Sequence, residues 1–325
     1  MQQELKRFTI FKTLTPYLLF YLILIISNGC VNKEDSNETE DSNVLYSFFA
    51  AGHTYGKPYV DNVGFHPPFK QKFDLIRKNK NIEFGVLTGD MVIEGTELNW
   101  EEVDSDIALL EVPIYKVVGN HDMSDRDLYE SRYGKTYYSF TNHQDLFIVL
   151  DPLIDGWSIK GDQLDFLKNT LHSHKDSVDN VFVFFHQLIW RNSENIYKNI
   201  WLNSFYGKNV PINYWDEIEP MFRSLKNSVF MISGDVGAFY TGDEFVYHQY
   251  ENITLIASGM GAGVRDNFII INVNKNKSVD FDLIALNHNE DIDALGRLQD
   301  YKLKSDFEKL IQRAQIKISK IFRGI

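Results

Sequence analysis

VPIYKVVGNHD, residues 112 to 122, is the stretch on which the fold of this chain turns. It begins as a short run rich in Val and Ile, which reads as a buried strand, and ends in Gly119-Asn120-His121-Asp122. Four other runs share the design. Residues 44–50 lead into Gly52-His53, 82–88 into Gly89-Asp90, 181–185 into His186, and 229–233 into Gly234-Asp235. In an open α/β sheet, ligands bind just outside the carboxyl ends of the strands. Here His, Asp and Asn all arrive at that edge. Imidazole and hard oxygen donors from several strands are what a divalent-metal hydrolytic site requires. Any one of them alone reads equally well as a turn former. The set of five is what points to a metal.

Between these runs lie helical spacings. Phe69, Phe73 and Ile76 form one, Trp100, Val103, Ile107 and Leu110 a second, and Leu164, Leu167 and Leu171 a third. Strands alternating with helices imply right-handed βαβ crossovers and an α/β fold. Beyond Asp235 the expected strands, 253–258, 268–273 and 279–285, are joined by short links. One link is a hairpin turn at Asn274-Lys275-Asn276-Lys277, so this half is expected to be more antiparallel.

The 325 residues suffice for one large domain with appendages, and the net charge of −12 disfavours nucleic acid as a partner. Cys30 is the single cysteine. It follows a basic start (Lys6, Arg7, Lys12) and an apolar run at 14–26 that is too short to span a bilayer. Small residues before it resemble a bacterial lipobox, although Ser27 stands where that motif prefers Leu. The expectation is a lipoprotein leader over 1–30 and an acidic, disordered linker over 31–43. A catalytic-type domain follows over 44–290, and a basic amphipathic helix over 291–325. The protein is then exported and anchored to a membrane through lipidated Cys30, at the periplasmic face or the cell surface. An uncleaved anchor is the alternative. The C-terminal helix either lies on anionic lipid or docks on its own domain. Nothing in the sequence signals an oligomeric state.

An Asp at a strand end can bridge two metals, and an Asn can ligate through its amide oxygen. His121 cannot easily share an ion with Asn120. It is better placed to face substrate and protonate a leaving oxygen, with Asp122 setting its tautomer. In these residues the sequence resembles the calcineurin-like metallophosphoesterases. The matching residues are Gly89-Asp90, Gly119-Asn120-His121-Asp122 and His186. Tyr138-Ser139-Phe140, Phe147-Ile148-Val149-Leu150-Asp151 and Gly161 with Gln163-Leu164-Asp165 support them. The resemblance implies an α/β/β/α sandwich of two mixed sheets flanked by helices, with a two-metal site that hydrolyses phosphate esters. It also implies that Asp90 bridges the metals, that Asn120 and His186 bind the second ion, and that His121, paired with Asp122, is the acid.

Two motifs depart from the family. Its opening Asp-x-His is Ala51-Gly52-His53 here, and its closing Gly-His-x-His is Gly234-Asp235-Val236-Gly237. Sorted by ion, the first keeps only His53 and Asp90. The second keeps Asp90, Asn120 and His186, with Asp235 as an added oxygen donor. Two protein ligands seldom hold a divalent ion alone. The expected cofactor is therefore one tightly held Mn, Fe or Zn, with a second ion recruited by substrate at most. Three readings stand: an envelope phosphoesterase working on one ion, a hydrolase of altered chemistry with His53 freed for substrate, and a noncatalytic member. The last would bind a phosphorylated or glycan-type ligand, or a protein partner. Retention of His121 favours an enzyme, and loss of the first-ion ligands favours a binder. Residues 187–213 hold Trp190, Tyr197, Trp201, Phe205 and Tyr206, which either stack on substrate or pack the loop down.

Overall fold

The computed structural model describes residues 43–60, 63–205, 207–209, 211–239, 244–261, 265–287, 295–301 and 303. The expected leader and all but the last residue of the linker lie outside these residues. So do Tyr206 and most of the expected C-terminal helix.

Eleven strands form two sheets among the described residues. The first runs β11-β10-β1-β2-β3, built from β1 (Val44–Ala51), β2 (Ile82–Thr88), β3 (Ile114–Val117), β10 (Asn267–Asn274) and β11 (Val279–Ala285). Strands β1, β2 and β3 are parallel, and β10 and β11 join antiparallel. The second runs β4-β5-β6-β7-β9-β8, from β4 (Tyr138–Asn142), β5 (Asp145–Val149), β6 (Asn180–Phe184), β7 (Ser228–Ser233), β8 (Phe245–Tyr250) and β9 (Ile253–Ser258). Its four central strands are parallel and its two edges antiparallel.

Side chains alternate across each strand, so a strand covered on both faces must be apolar on both. In β1, Tyr46, Phe48 and Ala50 face the second sheet, while Phe49 and Ala51 face helices. Between the sheets Phe48 stacks on Phe84 at 5.0 Å, and it meets Phe147 and Phe182 edge-on. Helices at Pro67–Lys70, Phe73–Lys78 and Glu97–Ala108 cover the outer face of the first sheet through Phe69, Ile76, Trp100 and Val103. Helices at Gly161–His174 and Glu219–Arg223 cover the second through Leu167, Leu171 and Phe222. This is the α/β/β/α sandwich that the family resemblance implies.

Three details differ from the sequence reading. The metal-type residues reach the ends of two packed sheets rather than one edge: β1, β2 and β3 belong to one sheet, β6 and β7 to the other. Strands β4 and β8 escape the hydrophobic-run criterion because they are polar edge strands, and β5 is an apolar internal strand whose residues the sequence reading quoted only as a family match. The helix expected through Phe69 and Phe73 is two short helices broken at Gln71-Lys72. No helix among the described residues is long and apolar enough to cross a membrane.

Candidate metal centre

Asp90 follows β2 in a backbone turn that few residues tolerate, with φ of 92° at Gly89 and 54° at Asp90. A β-carbon at Gly89 would fall 2.4 Å from Nδ1 of His186, and one at Gly119 would fall 2.2 Å from Oδ1 of Asp90. These two glycines therefore let the donor-bearing turns close on one another. Asp90 Oδ1 accepts the His121 N–H at 3.0 Å, which leaves Oδ2 to face the site.

His186 and His53 are both pinned from behind. His186 Nδ1 donates to the Thr88 carbonyl at 2.7 Å, and His53 Nδ1 donates to the Met260 carbonyl at 2.9 Å. A carbonyl can only accept, so each Nδ1 carries a proton and each Nε2 is turned toward the carboxylates. His186 Nε2 lies 3.1 Å from Asp90 Oδ2 and 3.7 Å from Asp235 Oδ1, and His53 Nε2 lies 3.8 Å from Asp90 Oδ2. Donors sharing one ion at about 2.0–2.2 Å are separated by about 3–3.6 Å. The His186–Asp90 pair matches that spacing, and the His186–Asp235 and His53–Asp90 pairs are both a little wide of it.

The residues fit a cation on a further ground. Asp90 Oδ2, Asn120 Oδ1, His186 Nε2 and both carboxylate oxygens of Asp235 are buried with no hydrogen-bond partner. Leaving such atoms unsatisfied is costly, and acceptors crowded together without a donor call for a positive charge between them. Among the described residues no three His, Cys, Asp or Glu side chains close into a ready metal cage. The fit therefore depends on these orphaned atoms together with the Asn120 amide.

Electrostatics agree. Burial pulls His186 down, but the Asp90 carboxylate outweighs it and lifts the imidazole to about 9. Burial pushes Asp90 up, and His186 overcomes it to hold the carboxyl well below its usual range. In this state a proton on His186 takes the place that a bound cation would fill. Burial lowers His53 to about 4, so it stays neutral and able to ligate. Burial also lifts Asp235 far above the carboxylate range, against the pull of His186.

Asp122 does not set the tautomer of His121, contrary to the sequence expectation. Its Oδ2 accepts the N–H groups of Asp90 and Gly119, and its Oδ1 those of Met91 and Val92, at 2.8–3.2 Å. Burial and the Asp90 charge push its pKa upward. All four lone pairs are nevertheless committed, so a proton would break a bond and the ionised form is held. Asp122 is a clamp between the two donor turns. The tautomer of His121 is set by the Ile93 carbonyl, which accepts from Nδ1 at 2.7 Å. Nε2 is left facing the Tyr55 hydroxyl at 3.4 Å.

Tyr55 is buried between His53 and His121, with ring centroids 4.3 and 4.8 Å away. Sequence reasoning missed it, although its place two residues after His53 was the available signal. A cavity of about 260 Å³ opens on this side, against His53, Tyr55, Asp90 and His121. Asn120, His186 and Asp235 do not line it. At the departed motifs, Ala51 is buried, and Gly237 has a φ of 85° with Gly259 backbone 2.6 Å from where its β-carbon would lie. The backbone path here leaves no space for a histidine. Of the loop aromatics, Trp190 and Tyr197 are buried in the core, while Trp201 and Phe205 are more than half exposed.

A family model for calcineurin-like phosphoesterases matches residues 53–215, and the chain belongs to that family. A purple acid phosphatase from yellow lupin (Lupinus luteus) seeds has a similar structure, with a TM-score of 0.54 at 12% identity over 74% of this chain and 51% of that one. The likeness establishes the fold, and the chain spans about half the length of the lupin enzyme. Vps29 from Chaetomium thermophilum (10% identity, 74% of this chain, 94% of that one) has a TM-score of 0.34. A predicted phosphoesterase from Streptococcus pneumoniae (10% identity, 75% and 91%) has one of 0.33. No curated protein matches the sequence.

Proposed function

We propose that the chain is a metal-dependent phosphoesterase holding one ion through Asp90, Asn120, His186 and Asp235. His53 stands on the open side of Asp90. The observation that carries this reading is the cluster of buried acceptor atoms at the facing ends of the two sheets, whose negative charge only a proton on His186 offsets when no ion is bound. When bound, the ion supplies positive charge to the phosphoryl oxygens. The remaining work falls to the chain. Ile93 holds the Nδ1 proton of His121, so in the imidazolium form the proton on Nε2 is the one that passes to the leaving oxygen. Tyr55 holds the imidazole in place and walls the cavity against bulk water.

Protein purified without chelator should contain about one Mn, Fe or Zn per chain and hydrolyse an aryl phosphate ester. Two tightly held ions, or none after metal loading, would refute the ligand set. One ion with no hydrolysis under any of the three metals would select the noncatalytic reading, a family member that binds a phosphorylated or glycan-type ligand. The vacated positions Ala51 and Gly237 favour that alternative.

We also propose that the protein is exported and tethered by lipid on Cys30. Support comes from the sequence around that cysteine. Release of Cys30→Ser from the membrane fraction is the expected result, and unchanged retention with an intact leader would support an uncleaved anchor.

A further inference from the structure

A cavity of about 370 Å³ lies between β3 and β4, the edge strands of the two sheets, and the helix at Arg126–Tyr133. No residue of the metal centre lines it. Its walls include the rings of Tyr129, Tyr133 and Tyr138. Its charged groups are Lys116 and Lys135, with no carboxylate. In a chain of net charge −12 this is a local excess of positive charge. The acids on the neighbouring helices are engaged elsewhere. Glu97 and Asp104 pair with Arg132, and Glu130 pairs with Arg126. Glu111 and Asp127, on the same stretches of chain, do not line the cavity.

The Lys116 side chain is 17% exposed, and among the described residues its ammonium makes no hydrogen bond. Its contacts are the face of the Tyr133 ring, 4.3 Å from the centroid, and Asp104, 4.0 Å away. Both oxygens of Asp104 are already taken, Oδ1 by the Tyr133 hydroxyl at 2.9 Å and Oδ2 by Arg132 at 3.0 Å. Burial pushes the Lys116 ammonium below its usual range. Asp104 recovers only part of that, and Arg132 adds to the push. A charge taken largely out of water with its three donors unused is costly, and an oxyanion entering the cavity would accept from them. The tyrosines narrow the ligand further. The Tyr133 and Tyr138 hydroxyls donate to Asp104 and to the Lys116 carbonyl, so these two rings offer apolar faces and edges instead of protons. The cavity has no guanidinium fork, and its other ammonium, Lys135, is exposed at the rim over the Tyr137 ring. One sheltered ammonium matches a single carboxylate, and tyrosine walls match a ring. We propose that this cavity binds a small ring-bearing carboxylate, with the carboxylate on Lys116 and the ring against Tyr129, Tyr133 and Tyr138. Aromatic acids and sugar acids share that chemistry.

Ligand-observed NMR on the whole chain should show benzoate or glucuronate binding with a Kd below about 10 mM. Their uncharged counterparts, benzamide and methyl glucoside, should bind at least roughly tenfold more weakly. Lys116→Met keeps the length of the stem and removes the charge. It should weaken binding at least roughly tenfold and leave the melting temperature within about 3 °C. Lys135→Met, at the exposed rim, should weaken binding by about fivefold at most. Crystals of the wild-type chain soaked with the ligand should place its carboxylate about 2.7–3.2 Å from Nζ of Lys116, a result that needs no variant to fold. Benzoate binding alone assigns an aromatic acid, and glucuronate binding alone a sugar acid. The proposal is overturned by no binding of either, by equal binding of the uncharged counterparts, or by unchanged affinity in Lys116→Met. A larger loss at Lys135 than at Lys116, or a carboxylate seated only at the metal centre, would overturn it equally.

Discussion

Asp122 accepts four backbone N–H groups, and three of them belong to the turn that carries Asp90. Replacing it by Asn keeps the shape but sets an amide NH₂ against two of those donors. Asp122→Asn should cost about 2–4 kcal/mol in urea unfolding, and an unchanged midpoint would mean that the clamp is dispensable. His121 is held by Ile93 and presents Nε2 to the cavity. Losing a general acid typically costs about 10²–10⁴ in rate. His121→Asn should therefore retain its ion by elemental analysis while losing hydrolysis to that extent. Activity equal to wild type would remove His121 from the mechanism.

Two turns and a loop determine how these side chains meet. Gly89 has positive φ and lies against the His186 ring, and Gly119 lies against the Asp90 carboxylate. Gly89→Ala and Gly119→Ala should both abolish tight metal binding, because the added methyl must displace a ligand. Retention of one ion per chain in either variant would show that the turns can relax. The loop after His186 is held by Trp190, which is fully buried and stacks edge-on with Tyr197 at 4.9 Å. Trp190→Ala should destabilise by about 3–5 kcal/mol. Trp201→Ala, at a side chain 56% exposed, should cost less than about 1 kcal/mol. Similar losses at both would mean that Trp201 also anchors the loop.

At the scale of the molecule, the proposed ion joins the two sheets. Asp90 comes from the first sheet, and His186 and Asp235 from the second. A ligand that binds only the folded state at about one hundred times its Kd adds roughly 2.7 kcal/mol. In a domain of this size that is about 5–10 °C of melting temperature. Chelation should lower Tm by that amount, and Asp235→Asn should reduce the difference. A chelator that leaves Tm unchanged would count against a resident ion.

Much of this arrangement was legible before any coordinates. The buried strands and the turns Gly89-Asp90 and Gly119-Asn120-His121-Asp122 are local signals, written within about ten residues by hydrophobic runs and by the glycine a tight turn needs. They identified the α/β class and named the side chains that the strand ends of the two sheets bring together. Other features depended on partners distant in the chain. Strands β4 and β8 are sheet edges, and their polarity hides them until neighbours exist. The tautomers of His53, His186 and His121 are set by the carbonyls of Met260, Thr88 and Ile93, which are 207, 98 and 28 residues away. Every residue has a carbonyl, so no side-chain pattern marks those three. Only the packing of the two sheets decided which nitrogen faces the site, that Asp122 clamps backbone instead of a histidine, and that Tyr55 stands beside the acid.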